Sequence, residues 1–197
     1  MIEQDKNTER RRFFRINDDI FLEYDVLSEN EYNNAQEELD AIKHTAFSMS
    51  AEFATLNNEF HPLLNNFKQN TPEIAQYLEL LNQKIDALSQ YLLESQISAE
   101  DKKISANLSA SGIAFRSKTP FNTGQRLRLR IVLFPEKVGI MVFGRVMHCD
   151  HETDTNNEHL ITVDFEHIRY EDQELMIKHN INKQIMELRQ RSESKDD

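Results

Sequence analysis

Residues 103–117 read KISANLSASGIAFRS, two short runs (103–108 and 112–117) in which apolar and polar residues alternate on either side of a tight turn. Alternation with a period of two marks a strand that buries one face. The pattern repeats downstream. QRLRLRIVLF at 125–134, GIMVFGRVMHC at 139–149 and HLITVDFEHI at 159–168 each read as a strand, the last two joined by the polar loop DHETDTNN. Strands this close, linked by short turns, form an antiparallel barrel or sandwich. Within 125–134, Leu127, Leu129 and Ile131 take the buried face, while Arg126, Arg128 and Arg130 form a basic ladder on the other. A helix over 172–191 follows, with Leu175, Ile181, Ile185 and Leu188 on one face.

Upstream, the period changes from two to three-and-four. After a lone strand, IFLEYDV at 20–26, apolar residues run from Tyr32 through Ala35, Leu39, Phe53 and Phe60 to Phe67 with heptad spacing. A second seam runs from Ile74 through Leu81 and Leu88 to Leu92. Asn70, Thr71 and Pro72 separate the two, with Thr71 as N-cap, Pro72 at the first helical position and Glu73 in the first turn. The spacing predicts two helices, 31–69 and 72–95, of about 55 and 35 Å, with a kink near His61 imposed by Pro62. Such lengths overrun a small domain, which favours an oligomer interface over an internal two-helix core. The chain divides into an arm and first strand (1–28), a helical hairpin (29–98), the rest of the barrel (99–170), and a C-terminal helix with a disordered tail (171–197). The fold class is α+β, with the hairpin inserted after the first strand of a small barrel.

Composition excludes several functions. A net charge of -11 repels a polyanion, which argues against DNA as a partner. No leader-like apolar run opens the chain and no stretch is long enough for membrane insertion, so a cytoplasmic setting is expected. The single Cys149 fits a reducing compartment and reads as a packed small hydrophobe. Histidines are scattered, there is no phosphate-binding glycine loop and no nucleophile with a base partner, so neither catalysis nor a metal or other cofactor is expected. His148, Asp150 and His151 read as a strand end.

Against that acidic background two features stand out. ERRRFFRIND at 9–18 holds Arg10, Arg11, Arg12 and Arg15, and the turn NLSASG offers Asn107, Ser109 and Gly112. Guanidinium forks suit phosphate oxygens and the O6/N7 edge of guanine. Gly112 permits a positive φ or a close backbone approach.

An RxxxR segment (Arg11, Arg15) before the first strand, followed by NxSxxG (Asn107, Ser109, Gly112) between the next two, resembles the PilZ domain family, with GRVMH and ITVDFEHI similar to its later strands. That resemblance implies a PilZ-like antiparallel β-barrel and a bacterial cyclic di-GMP receptor. It implies relay to motility, biofilm or related outputs through a downstream protein partner. Arg11 and Arg15 would pair with phosphates and guanine edges, with Arg10 and Arg12 as auxiliaries. Asn107 and Ser109 would hydrogen-bond the ligand, Gly112 would shape the turn, and Phe13 with Phe14 would anchor the arm. The hairpin resembles the insertion of a tetrameric subgroup built on heptad-bearing helices. Two other readings stand beside it: an oligomeric scaffold that binds no nucleotide, and a single-strand nucleic-acid binder using the Arg126, Arg128, Arg130 ladder.

Overall fold

The computed structural model describes residues 13–97, 103–151 and 158–193; Arg10, Arg11 and Arg12 lie outside them. Among these residues six strands close into an antiparallel barrel: β1 (Ile16–Leu27), β2 (Ile104–Ser109), β3 (Gly112–Ser117), β4 (Arg126–Leu133), β5 (Val138–His151) and β6 (His159–Ile168), in the order β1-β2-β3-β6-β5-β4. The alternation read from the sequence is the inside–outside alternation of the barrel. Ile20, Leu108, Phe115, Leu129, Ile131, Ile140 and Val163 fill its interior and are essentially inaccessible.

β1 begins four residues earlier than its sequence pattern predicts. Its first half, Ile16–Ile20, pairs with β2, and its second half, Phe21–Leu27, pairs with β4, so this one strand closes the barrel. The early start was hidden by Asp18, which reads as part of a polar arm. In fact Asp18 is buried beneath α5 (Tyr170–Glu193), where His179 Nε2 lies 2.6 Å from Oδ2 and Lys183 Nζ donates to Oδ1 at 2.6 Å.

This cluster sets a pH dependence. Burial opposes charge on His179, but hydrogen bonds to Asp18 and Glu136 outweigh it and raise its pKa above the ordinary histidine value. Burial likewise works to raise the Asp18 carboxyl, yet hydrogen bonds from His179 and Lys183 hold it below its usual range. A raised histidine stabilises fully below its unfolded pKa, about 6.5, and loses that contribution as pH climbs through the folded value. A lowered aspartate stabilises above about 3.9 and loses its contribution as pH falls. We expect calorimetry to show the melting temperature falling from pH 6.5 to 9, with a shallower slope in His179→Gln.

The helical region departs from the predicted hairpin. Instead of one helix from 31 to 69 there are three: α1 (Glu29–Asn33), α2 (Ala35–Ala41) and α3 (Met49–Asn70). Tyr32, Ala35 and Leu39 continue the heptad spacing, but they pack with Phe21, Val132, Met141 and Phe143 on the outer wall of β1, β4 and β5. Barrel burial overrides the seam there. The break between α2 and α3 holds His44 at φ 63 and is tied by Glu52, which accepts from His44 N at 2.7 Å and Ser48 Oγ at 2.8 Å. At the start of α3, Ser50 Oγ accepts from Gly139 N at 3.0 Å, and a Cβ on Gly139 would lie 2.6 Å from the Phe47 carbonyl. That glycine lets the helix base sit flush on β5.

α3 passes through Pro62 without ending and meets α4 (Pro72–Gln96) at the predicted break. Pro72 occupies the first turn, but Thr71 makes no side-chain cap; its hydroxyl lies 3.5 Å from the Phe67 carbonyl. Asn57 Nδ2 donates to Asp86 at 3.1 Å and Lys68 pairs with Glu79 at 2.6 Å across the hairpin. Beyond the barrel the apolar seam is uncovered in the single chain: Phe60, Leu63, Ile85 and Leu88 are each exposed. The face predicted for the last helix is only partly realised. Leu175 and Met176 enter the core, whereas Ile181, Ile185 and Leu188 face outward past the barrel edge.

Candidate ligand-binding cleft

Away from the wall that α1 and α2 cover, the first half of β1, β2, β3 and the β3-facing part of β6 present a largely polar outer face. Register decides which residues meet there. Asn17 faces Asn107, Asn107 faces Ala114 and Ala114 faces Thr162, forming one row across four strands. Two residues further along, Arg116 stands beside Leu160. These residues, with Arg15 and Ser105, line a cleft of about 370 Å3. Ala114 lies among larger polar neighbours, and its methyl leaves room above the sheet.

The cleft therefore gathers two of the predicted site residues, Arg15 and Asn107, although they are far apart in sequence. Arg15 is half-buried at the entry to β1, held there by Ile16, which is buried, and by Phe13, which packs against the barrel core. Phe14 is exposed, so of the predicted aromatic anchor only Phe13 meets the barrel. Asn107 Nδ2 donates to Asn17 Oδ1 at 2.8 Å, which ties β2 to the strand that follows the arm.

Ser109 and Gly112 are placed differently. The Ser109 side chain is buried; its Oγ donates to the Gly112 carbonyl at 3.1 Å and accepts from Ser111 N at 3.3 Å, holding the β2–β3 turn in shape. Gly112 has no positive φ. Its need for glycine comes from β6, because a Cβ there would lie 2.6 Å from the Val163 carbonyl. Gly112→Ala must push β6 away, an overpacking cost of about 2 kcal/mol. The expected result is a melting temperature lower by about 5 °C in thermal unfolding.

The basic ladder on β4 is neutralised where it stands. Arg128 pairs with Asp25 at 2.7 Å and with Glu38 at 2.5 Å, Arg130 pairs with Glu23 at 2.5 Å, and Arg126 lies over the Tyr32 ring at 4.3 Å. This corrects the picture of a solvated basic face and removes the basis for single-strand nucleic-acid binding there: the matching carboxylates sit on β1 and α2, far away in sequence. Cys149 is half-buried against the core, with Phe121 N 3.5 Å from its sulfur. Among the described residues no group of three His, Cys, Asp or Glu side chains is arranged to hold a metal, and no described helix is long and apolar enough to cross a membrane.

Sequence reasoning missed Asn17, Ser105, Ala114, Arg116 and Thr162 as cleft residues. Strand parity from Asn107 could have given Ser105, and Arg116 stood in a run of basic residues free of acidic ones from 102 to 130. The remaining three depend on register between strands, which parity does not supply.

A closed six-stranded antiparallel barrel with a polar outer cleft at the start of β1, joined to long helices, defines a barrel of the PilZ type. Residues 84–181 match the PilZ domain, and the chain belongs to that family. The match takes in the end of α4, β2 to β6 and the start of α5, and leaves out the arm and β1. Among solved structures, a Xanthomonas campestris pathogenic protein, described as a tetrameric PilZ domain self-assembled via an unusual helical bundle, superposes with a TM-score of 0.55 over 90% of this chain and 89% of its own, at 12% identity. That likeness is one of fold. The Bacillus subtilis inhibitor of motility MotI/DgrA is 25% identical over 45% of this chain, with a TM-score of 0.38, and the match spans 44% of its length. No curated protein sequence matches the chain.

Proposed function

We propose that the protein is a cytoplasmic receptor for cyclic di-GMP that binds the dinucleotide in the β1–β2–β3–β6 cleft and acts through protein partners rather than by catalysis. The observation that carries this reading is the convergence of Arg15 and Asn107 on one cleft that also holds Arg116. Arg15 supplies a planar fork for a phosphate or a guanine edge, and the asparagine supplies a directional hydrogen bond. Arg11 belongs to the same arm and would add a second fork, with Arg10 and Arg12 as auxiliaries. Ser109 and Gly112 serve the site by shaping the turn beneath it.

The energetics are within reach. Micromolar binding needs about 8 kcal/mol, and a charge-assisted hydrogen bond contributes roughly 1.5–3 kcal/mol. Several such bonds with base stacking suffice, even after the loss of translational and rotational freedom on binding. Calorimetric titration of cyclic di-GMP into the full chain tests the reading. A Kd in the micromolar range or tighter supports it, and no heat at millimolar ligand refutes it.

We further propose that the chain assembles with copies of itself through α3 and α4. The exposed seam residues support this, as does the likeness in fold to a protein described as a tetramer held by a helical bundle. One observation favours the rival reading of a scaffold that binds no nucleotide: the Ser109 hydroxyl is already engaged within its own turn. That rival predicts the same assembly with no response to cyclic di-GMP.

A further inference from the structure

We propose that the outer stripe of α5 seats on the α3–α4 groove of a second copy of the chain, so that the last helix of one copy is joined to the hairpin of the next; this inference rests on the assembly reading above. α5 uses two faces. Met176, His179 and Asn180 are buried against the barrel. Ile181, Ile185 and Leu188 recur at i, i+4 and i+7 on the opposite side of the helix, and all three are exposed. Apolar residues at that spacing form the stripe a helix presents to a partner helix, and no described element of the same chain covers it.

The groove offers the complement. On α3, Leu56, Phe60 and Leu63 repeat the i, i+4, i+7 spacing, line the groove and are exposed, so the two stripes match in length at about 10 Å each. Stripe and groove also lie close together in one copy, because Lys178 donates to Asn58 and so sets α5 beside α3. Charge decides which surfaces meet. From residue 178 to 191, α5 carries Lys178, Lys183, Arg189 and Arg191 against Glu187 alone, whereas α3 and α4 together carry six Asp or Glu against two Lys. Two α5 ends, or two hairpins, bring like charge together, while an α5 end on a hairpin brings opposite charges within reach. Every copy holds both surfaces, so a two-fold relation lets each α5 engage the other copy's groove and forms the contact twice.

Light scattering behind size exclusion, run on the full chain over a series of concentrations, follows assembly in the wild type and in Ile185→Glu combined with Leu188→Glu. Both side chains are exposed, so far-UV circular dichroism should be unchanged. Losing two buried aliphatic side chains from each contact should raise the midpoint concentration for assembly at least about tenfold. An unchanged midpoint overturns the inference while leaving assembly through α3 and α4 intact. The occupant is read from a photo-reactive variant, Ile185→benzoylphenylalanine, prepared as equal parts of unlabelled and heavy-nitrogen chains so that cross-links between copies carry both labels. Mass spectrometry should find mixed-label cross-links from α5 to α3 or α4. Mixed-label cross-links that land on α5 or the barrel instead, or none between copies, overturn the inference. A wild type that runs as a single chain at tens of micromolar overturns the assembly reading and this inference together.

Discussion

Arg15→Ala is expected to weaken cyclic di-GMP binding by at least about a hundredfold. Two bonds from one guanidinium fork to a phosphate or a guanine edge contribute roughly 3 kcal/mol at the low end of their range, which is a factor of more than 100 in Kd. The position favours a clean measurement. Ile16 on one side is buried and Phe13 on the other packs against the core, so the backbone at residue 15 stays in place when its side chain is cut back. Thermal unfolding should therefore be unchanged within a degree or so while titration heats vanish. Arg15→Lys keeps the charge and loses the fork, and should recover only part of the affinity. Full affinity in Arg15→Ala would mean that the cleft is not where the dinucleotide binds.

The second large effect is expected in the helices. Leu63→Glu combined with Leu88→Glu should convert the assembled protein to single chains, read by light scattering behind size exclusion. Both leucines are about half exposed or more in the isolated chain, at 51% and 60%, so neither substitution disturbs the barrel. They belong to the same exposed seam as the apolar groove between α3 and α4, which measures about 360 Å3 and is lined by Phe53, Phe60, Phe67, Leu78 and Ile85. Burying a leucine stabilises by about 1.5–3 kcal/mol, and every copy in the assembly loses that twice when charges replace both. Cyclic di-GMP binding should persist in the dissociated chains, since no residue that lines the cleft belongs to α3 or α4. A wild type that already runs as a single chain at tens of micromolar would refute assembly through this surface.

How far the sequence reaches can be traced through particular residues. The barrel strands were legible because alternation on β4 and β3 is a local property, set by which neighbours a side chain meets inside. The break between helices was legible from Pro72, whose ring fixes a helix start. Heptad spacing from Tyr32 to Leu39 misled, because packing against Phe143 and Val132 satisfies the same three-and-four period as packing against another helix. The charge of Arg128 and Arg130 was legible and its neutralisation was not, since Asp25 and Glu23 lie on the neighbouring strand β1, far away in sequence. In the cleft, Arg15 and Asn107 were found as motif members. Asn17, Ala114 and Thr162 became members only through strand register, which no single strand encodes.

The two walls of the barrel carry different loads. The helices cover β4, β5 and the second half of β1, while the cleft opens on β2, β3, β6 and the first half of β1. Copies joined through α3 and α4 would therefore turn their clefts away from the axis of the assembly. Ligand could then enter each copy independently, and every occupied copy would present its filled cleft outward. A partner with matching repeats would meet such an assembly as a multivalent surface, on which the second contact forms at the high effective concentration set by the first. A modest change at each cleft would then be read as a steep change in avidity, with no need for the barrels themselves to move.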